Sequence, residues 1–472
     1  MAAAILIAFV VIALVAGFAA AIGIALVITR PVVFLAVGLL VTAVVGAGGF
    51  WLALRRLPRP RRFRAALIGA GVLVLVAAVA VIAPLPTSHE DPAAAPGLAF
   101  WELNTGSRLA YLKLPGAPKT SPTPIVMLHG GPGVPDMAGD AAFFGQLSDL
   151  GSDVYVYDQL GAGRSTRLPD PTGYGIDRDV ADLEQIRLAI GAEQMVLIGH
   201  SYGGALAAHY LAAHPGRAQK LILSSPAALD PADHSGDRAT AGLTTGARLR
   251  SYAAALAPRA LLGYTLLQVN PAAAHAYLGD DQADTRNDAI LTITEPALHC
   301  SPDQDTGPVH GSGFYALQYP QSATAPPPPD IRPKLRGLPT PTLIVKGSCD
   351  YLSWQSATDY RRALTDTTLL YLKGAGHNTY QDRPALVLAA IRAFLTGGRL
   401  PQPPTRESTC RRAIQGRREG NARAQKPSGD GRWVGGPDST RPGHGPQHDP
   451  CGHPQRQHDR RTEHWRGSPD HG

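Results

Sequence analysis

The chain has 472 residues and a formal net charge of +7, from 44 Lys and Arg against 37 Asp and Glu. The charge is unevenly distributed: residues 1–89 hold seven arginines and no acidic residue, and residues 399–472 hold fourteen basic and eight acidic residues. The remaining 23 basic and 29 acidic residues make the middle of the chain acidic. This excludes a protein that binds nucleic acid over a uniformly basic surface and favours a membrane segment, one globular domain and a polar tail.

Three uncharged apolar stretches come first, at residues 5–29, 32–54 and 65–83. At about 1.5 Å per helical residue, each can cross roughly 30 Å of hydrocarbon. They predict a membrane anchor of three transmembrane helices within residues 1–84. A cleaved signal peptide is the alternative for the first stretch, although it lacks a basic n-region and exceeds the roughly 15 apolar residues of an h-region.

The orientation of this anchor follows from residues 55–64, RRLPRPRRFR, which contain six arginines. Arginine-rich connections remain on the cytoplasmic side, so the globular part after residue 84 is predicted to lie outside the cell membrane. Membrane lipid is then the partner of the apolar helices, and their lack of charge gives no indication of a pump or channel. A nucleic-acid site in the arginine-rich loop is the weaker alternative beside three apolar stretches.

After a predicted linker at residues 85–97, β-rich apolar runs alternate with helical patterns. Helices are predicted at 179–190, 205–213 and 383–395, and strands at 98–103, 108–114, 124–129, 153–158, 195–199, 220–224, 341–347 and 368–373. Two early strands that can form a hairpin, followed by β–α alternation, predict an α/β fold with a mostly parallel eight-stranded sheet. The core of this domain is placed at residues 98–226 and 336–397.

Two segments lie outside this alternation. Residues 227–335 are rich in Ala and Leu and predict a helical cap over the carboxyl edge of the sheet. Residues 398–472 have few aliphatic side chains and are predicted to be a disordered tail, because they cannot bury enough apolar area to offset the entropy of ordering. The six histidines of the tail and its Cys451-Gly452-His453 triplet lack the spacing of a metal site.

Ser201 lies in the sequence Gly-His-Ser-Tyr-Gly between a predicted strand and a predicted helix. In this context the serine is expected on a strained turn that presents its hydroxyl at the top of the sheet. A serine needs a base to become a nucleophile, and the base needs an orienting carboxylate. Asp350 and His377 follow the next predicted strands in the order Ser, acid, His. They predict a Ser201–His377–Asp350 triad.

Such a nucleophile also needs N–H donors for the oxyanion. Two are predicted: the backbone N–H of Tyr202, directly after the nucleophile, and that of Gly131 in the loop HGGPG at residues 129–133.

Five short segments of the chain form a set: HGGPG at 129–133, DQLGAGRS at 158–165, GHSYGG at 199–204, GSCD at 347–350 and GAGH at 374–377. Together they resemble the α/β-hydrolase superfamily. They are most similar to the prolyl aminopeptidase (proline iminopeptidase) family and the related tripeptidyl aminopeptidases. The resemblance covers about residues 98–397 and implies the α/β-hydrolase fold, with Ser201 as nucleophile, Asp350 as orienting acid and His377 as base, and no cofactor.

The chain departs from the family pattern at two places. Leu160 stands where the family usually has Arg, and the family's elbow is often GGSWG instead of GHSYG. These differences leave the substrate open. Family members hold a substrate's free α-amine with cap carboxylates, and Glu295, the single Glu of the cap beside ten Asp, is the candidate here. A solvated or structural Glu295 is the alternative.

The resulting prediction is a membrane-anchored serine hydrolase that releases N-terminal residues from short peptides. An esterase, lipase or other small-amide hydrolase is the alternative, since the triad does not select the acyl group. A non-catalytic membrane scaffold or sensor with the same fold is a further alternative. An epoxide hydrolase or dehalogenase is disfavoured, because those relatives have Asp where Ser201 stands. The expected partner is a small peptide or ester substrate rather than nucleic acid, and the oligomeric state stays open.

Four cysteines are present, at 300, 349, 410 and 451. A location outside the cytoplasm permits disulfides. Cys300 in the cap and Cys349 beside Asp350 can tie the cap to the loop of the acid, and two unpaired thiols are the alternative.

Overall fold

The computed structural model describes residues 2–87, 96–118, 121, 123–301 and 306–405. Residues 88–95 of the predicted linker and 406–472 of the predicted tail lie outside the described residues. The predictions of disorder and of no metal site in that part of the tail therefore remain predictions.

Three long helices open the chain: α1 (Ala2–Ala25), α2 (Pro31–Ala53) and α3 (Arg59–Ile82). They confirm the three predicted apolar helices and are candidate membrane spans by length and composition. The third begins at Arg59 rather than at 65, because proline is tolerated in a first helical turn and arginine has a high helix propensity. Helices α1 and α2 pack closely at small residues, since a Cβ on Gly38 would lie 2.7 Å from the carbonyl oxygen of Gly17.

An eight-stranded sheet forms the centre of the globular part, which confirms the predicted α/β architecture. Its strands are β1 (Ala99–Glu102), β2 (Arg108–Leu114), β3 (Ile125–Leu128), β4 (Val154–Tyr157), β5 (Met195–His200), β6 (Ala218–Ser224), β7 (Thr342–Gly347) and β8 (Thr367–Leu372). They are ordered β1-β2-β4-β3-β5-β6-β7-β8. Strand β2 pairs antiparallel with β1 and β4, and the other neighbours are parallel. Every residue of β3, β4, β5 and β7 is buried, as expected of strands covered on both faces.

The strand register brings distant loops together. Leu128 at the end of β3 pairs with Gly199 of β5, so the loop after β3 lies beside the turn that contains Ser201. Gly347 at the end of β7 pairs with Leu372 of β8, so the loops that follow these two strands are also neighbours. Parallel strands end at one edge of the sheet, and this edge is where open α/β sheets bind ligands.

Helices cover both faces of the sheet. Before the cap these are α4 (Met137–Phe144), α5 (Ile176–Ile190) and α6 (Tyr202–Ala213). Helices α5 and α6 belong to the larger apolar core on one face, and α4 belongs to the smaller core on the other face. The two predicted helices at 179–190 and 205–213 begin three residues earlier than their apolar periodicity indicated.

The segment between β6 and β7 is helical, as predicted for the cap. Its described residues form α7 (Thr245–Ala255), α8 (Pro258–Leu267), α9 (Pro271–Tyr277), α10 (Asp280–Thr294), α11 (Phe314–Gln318) and α12 (Arg332–Leu335). Helix α7 packs against α10, whereas α8 and α9 contact the apolar helices α1, α2 and α3.

Helix α13 (Trp354–Ala363) follows β7, and α14 (Thr379–Asp382) and α15 (Pro384–Thr396) follow β8. The chain then continues along the edge of the sheet. Thr405, which was placed in the tail, donates its N–H to the Leu369 carbonyl of β8 at 2.8 Å. Its hydroxyl accepts from the N–H of Tyr371 at 3.0 Å. Residues 398–405 are therefore ordered, because the free edge of β8 supplies backbone partners that composition does not reveal.

Candidate active site

Ser201 lies on a sharp turn between β5 and α6, with φ 52° and ψ −115°. A non-glycine residue at positive φ is strained and needs support from its surroundings. Two glycines make room for the turn: a Cβ on Gly203 would lie 2.0 Å from the Leu128 carbonyl oxygen, and one on Gly199 would lie 2.3 Å from that of Gly203. The glycine–serine–glycine spacing is thus required by the close approach of the neighbouring backbone.

The loops after β7 and β8 bring the other two predicted triad residues together. His377 Nδ1 lies 2.9 Å from Asp350 Oδ1 and donates to it, and both side chains are buried. Ser201 and His377 line one cavity at the carboxyl edge of the sheet, and Asp350 lies behind His377. The arrangement suits a general base that is oriented by a carboxylate.

Lys346, which the sequence reasoning missed, holds the second oxygen of Asp350. Its ammonium lies 2.6 Å from Asp350 Oδ2 and also donates to the Leu352 carbonyl oxygen at 3.2 Å. Burial alone would raise the pKa of Asp350, but the charges of Lys346 and His377 lower it well below its usual range. Burial lowers the pKa of Lys346. The signal in the sequence is a lysine inside an otherwise apolar strand, TLIVKG.

Two aromatic side chains enclose the imidazole of His377. The ring centroids of Tyr351 and His200 lie 4.6 Å and 4.9 Å from that of His377. Burial, and next the charge of His377, lower the pKa of His200 to about 3, so His200 is neutral at physiological pH. His200 Nε2 lies 3.2 Å from Oδ1 of Asn378, the residue after His377, and this contact orients the His200 ring.

A segment of the cap holds the loop of His377. The N–H of His377 donates to the Leu298 carbonyl oxygen at 2.6 Å. Two residues further along the cap, Cys300 forms a disulfide with Cys349, the neighbour of Asp350. The cap is thus joined to the loops of both His377 and Asp350. Cys410 and Cys451 lie outside the described residues.

The two predicted oxyanion donors lie in the same cavity as Ser201. Gly131 and Tyr202 both line the cavity. Gly131 has φ +118°, and a Cβ on the preceding Gly130 would lie 3.2 Å from the Cβ of Ser201. Within the described part of the chain, neither N–H has a hydrogen-bond partner. Both are therefore available to a substrate oxygen.

The loop with Gly131 is held by the segment DQLGAGRS. Gln159 donates its N–H to His129 Nε2 at 2.9 Å and its side-chain amide to the His129 carbonyl at 2.8 Å. Burial lowers the pKa of His129 to about 4, so its ring is neutral and Nδ1 donates to the Gly130 carbonyl at 2.8 Å. These hydrogen bonds hold the motifs HGGPG and DQLGAGRS against each other.

The cavity between the sheet and the cap has a volume of about 1990 Å³. It exceeds the roughly 300–1,000 Å³ of a typical small-molecule pocket. Nine carboxyl groups and three guanidinium groups line it. Burial raises the pKa of several of these carboxyl groups, among them Asp140, Asp158 and Asp284.

Glu295 lies on the wall of this cavity, with its side chain 15% exposed. Its Oε1 accepts from Asn378 Nδ2 at 2.7 Å and lies 3.7 Å from His299 Nε2. Burial opposes protonation of His299, but its hydrogen bond to Asp382 and the charges of Asp382 and Glu295 raise its pKa to about 9. Glu295 therefore faces the cavity while its carboxylate lies near the imidazole of His299.

Comparisons with known proteins identify the family of this fold. A family model described as alpha/beta hydrolase fold matches residues 123–384. Proline iminopeptidase of Heyndrickxia coagulans is 39% identical over 124 residues, which are 26% of this chain and 41% of that protein. The chain thus spans less than half the length of this relative. The 1-acylglycerol-3-phosphate O-acyltransferase ABHD5 of Rattus norvegicus is 28% identical over 283 residues, which are 56% of this chain and 75% of that protein.

Among solved structures, proline iminopeptidase from Mycobacterium smegmatis is 19% identical, with a TM-score of 0.43 over 64% of this chain and 98% of that chain. The resemblance to prolyl aminopeptidases that the motifs indicate is confirmed by the sequence matches.

Proposed function

This chain belongs to the α/β-hydrolase fold family, and on that premise we propose that it is a membrane-anchored serine hydrolase that releases N-terminal residues from short peptides. The observation that supports it most is the buried His377–Asp350 pair, which shares the carboxyl edge of the sheet with Ser201 on its strained turn.

In the proposed mechanism, Ser201 Oγ attacks the scissile carbonyl carbon while His377 Nε2 accepts its proton. Asp350 keeps the Nδ1–H tautomer and stabilises the imidazolium. The N–H groups of Gly131 and Tyr202 stabilise the oxyanion. His377 then protonates the leaving amine, which departs and leaves an acyl-enzyme, and water attacks that ester to regenerate Ser201. No cofactor enters these steps.

The preference for an amine-bearing substrate is supported by the carboxyl-rich cavity. Glu295 offers a negative charge at its wall. Asp284 also lies at the wall, but its pairing with Arg167 at 3.1 Å and its pKa of about 7, raised by burial, make Glu295 the stronger candidate for holding an amine. The local identity to proline iminopeptidases supports the same substrate class.

Hydrolysis of an acyl ester is the second candidate. It is supported by the match that extends over 75% of a 1-acylglycerol-3-phosphate O-acyltransferase and by the size of the cavity. A scaffold or sensor without catalysis is the candidate of another class, and the intact Ser201, His377 and Asp350 make it the weaker one.

The proposed location is the cell membrane, with the hydrolase domain outside the cytoplasm. The six arginines of residues 55–64, which follow α2 and open α3, support this orientation. The contacts of the cap also support this orientation. The cap contacts α1 and α3 at their carboxyl ends and α2 near its start. These contacts lie at the end of the helix bundle opposite to residues 55–64. Protease added to intact cells should then cleave the domain after residue 84.

The test is a comparison of the full chain with Ser201→Ala. The wild type should react with a fluorophosphonate probe and hydrolyse Pro-, Ala- or Leu-anilides faster than p-nitrophenyl esters. The variant should be folded and inactive in both assays. Undiminished labelling of the variant would show that Ser201 is not the nucleophile. Ester turnover that far exceeds anilide turnover would favour the second candidate.

A further inference from the structure

The cap of this protein is attached to the apolar helices by specific contacts. Arg259 at the start of α8 donates to the Val81 carbonyl oxygen in the last turn of α3 at 3.0 Å. Tyr277 at the end of α9 donates to the same carbonyl at 2.6 Å. Asn270 donates its side-chain amide to the carbonyl of Ala25, the last residue of α1, at 2.7 Å. The cap is therefore fixed to the bundle at defined points.

All these points lie at one end of the bundle. Helix α1 ends at Ala25, and α3 ends at Ile82. Phe34, in the first turn of α2, packs against Tyr277 with ring centroids 6.0 Å apart. Carbonyl groups in the last turn of a helix have no hydrogen-bond partner within the helix, and side chains of the cap donate hydrogen bonds to some of them. If the bundle spans a bilayer, α8 and α9 lie at the level of one membrane surface.

Helix α7, which directly precedes α8 in the chain, carries an exposed apolar stripe that includes its C-cap residue, Leu256. Leu249, Tyr252 and Leu256 are 63%, 55% and 60% exposed and follow the spacing i, i+3, i+7 of one helix face. Ser251 on the opposite face is buried. Leu256 precedes Arg259 by three residues, so its Cα lies within about 10 Å of a residue that contacts the end of α3.

The position of this stripe in the molecule is unusual. Among the described residues after Ile82, five large apolar side chains are exposed, and four of them lie within residues 249–264. The fifth is Leu188, in α5 of the core. Exposed apolar side chains that cluster next to a membrane-spanning bundle indicate a lipid contact rather than chance exposure.

We infer that the apolar stripe of α7 (Leu249, Tyr252 and Leu256) lies in the headgroup and upper acyl region of the leaflet next to which α1 and α3 end. Leucine and tyrosine suit this region, where an amphipathic helix lies in the plane of the interface. The exposed Arg248 and Arg250 flank the stripe and can reach lipid phosphates. Helix α7 packs on α10, which contributes Asp284 and Asp288 to the cavity wall, so these two helices lie between the proposed lipid contact and the cavity.

This inference rests on the proposed membrane anchoring and is tested by site-specific fluorescence. The full chain, with Cys410 and Cys451 replaced by serine, receives one cysteine at a time: L249C, Y252C or L256C, and L188C as an equally exposed control. Each is labelled with the environment-sensitive fluorophore NBD and reconstituted into vesicles of phosphatidylcholine and phosphatidylglycerol. Nitroxide groups near the headgroup of added phosphatidylcholine should quench the three stripe positions at least roughly twofold more than position 188.

Two controls separate the possible failures. Labelling of Ser201 by a fluorophosphonate in each variant reports folding and the hydrolase function independently of the lipid contact. Flotation of the vesicles after alkaline extraction reports anchoring. Quenching at the stripe no stronger than at position 188, in protein that floats, would overturn the lipid contact alone. Protein that fails to float would overturn both the anchoring and the contact.

Discussion

Lys346 Nζ lies 2.6 Å from Asp350 Oδ2, while Asp350 Oδ1 accepts from His377 Nδ1 at 2.9 Å. One buried carboxylate therefore joins an ammonium group to the candidate catalytic imidazole. A carboxylate shared in this way stays ionised inside the protein, and the ammonium offsets part of the negative charge that His377 experiences. Asp233 and Arg238 add weaker charges of opposite sign around Lys346, and His200 and Tyr351 enclose His377.

Replacing Lys346 by methionine tests this relationship. Without the ammonium, Asp350 loses a charge that lowers its pKa, so this carboxyl group should protonate at higher pH and the acid limb of the profile of kcat/KM against pH should move to higher pH. Removing one partner of a buried ion pair should also destabilise the domain by about 3–5 kcal/mol. The measurements are pH–rate profiles and thermal unfolding of the full chain in detergent.

Ser356→Ala is the matched control, because Ser356 Oγ contacts Lys346 Nζ only at 3.4 Å and carries no charge. It should leave the acid limb in place. If Lys346→Met does not fold, Lys346→Gln provides the same loss of charge with a polar head. An unchanged acid limb in a folded variant would contradict the electrostatic role of Lys346.

Asp350→Asn should reduce kcat by about 10³–10⁴-fold, because an amide no longer enforces the Nδ1–H tautomer of His377 or stabilises its charge. Steady-state kinetics on an aminoacyl-anilide measure the effect. Asp149→Asn, which only breaks an exposed ion pair with Arg392, is the control and should retain full activity. Equal activity of the two variants would show that Asp350 is not the orienting acid.

Glu295→Gln separates amine recognition from a structural role. If Glu295 holds a substrate's free α-amine, losing its charge should raise KM for aminoacyl-anilides about 10- to 100-fold, the equivalent of about 1.5–3 kcal/mol for a charged hydrogen bond. An N-acetylated anilide or an ester without an amine should be affected little. The amide of the variant can still accept from Asn378. An equal loss with both substrate types would mean that Glu295 acts only on the loop of His377.

His299 makes stability depend on pH. Because its folded pKa of about 9 lies above the unfolded value near 6.5, the stabilisation is complete below about pH 6.5 and is lost as the pH rises through about 9. His299→Gln should therefore be less stable than wild type at pH 6, and the difference should shrink towards pH 10. Thermal unfolding across this range is the measurement. A difference that does not change with pH would indicate that the ion pair with Asp382 contributes nothing.

Cys300→Ser together with Cys349→Ser should destabilise the domain by about 2–5 kcal/mol. The disulfide joins residues 49 apart in the chain and ties the cap to the neighbour of Asp350. The expected result is a lower Tm and a lower kcat that recovers partly on cooling. Cys410→Ser is the control for loss of a thiol. A Tm equal to that of the control would show that the hydrogen bond from His377 to Leu298 is sufficient to hold the cap.

Local patterns in the sequence were sufficient for much of this molecule. The three apolar helices depend on the length and hydrophobicity of continuous stretches, and the alternation of β-rich and helical segments depends on periodicity, both of which are visible without contacts. The motif around Ser201 was recognisable because its glycines answer a local steric requirement, the approach of the Gly203 carbonyl oxygen to within 2.3 Å of a Cβ on Gly199.

Only the tertiary structure decided what depends on the path of a loop or on residues far apart in the chain. Lys346 appeared as one polar residue in an apolar strand until the loop after β7 turned Asp350 back onto it. Thr405 was assigned to a disordered tail because composition cannot reveal the free edge of β8 that orders it. The docking of Arg259 and Tyr277 on the end of α3 likewise has no local signature. Hydrophobic periodicity is a property of neighbouring residues, whereas the pairing of a buried charge, a strand edge or a helix end depends on where the fold brings its partner.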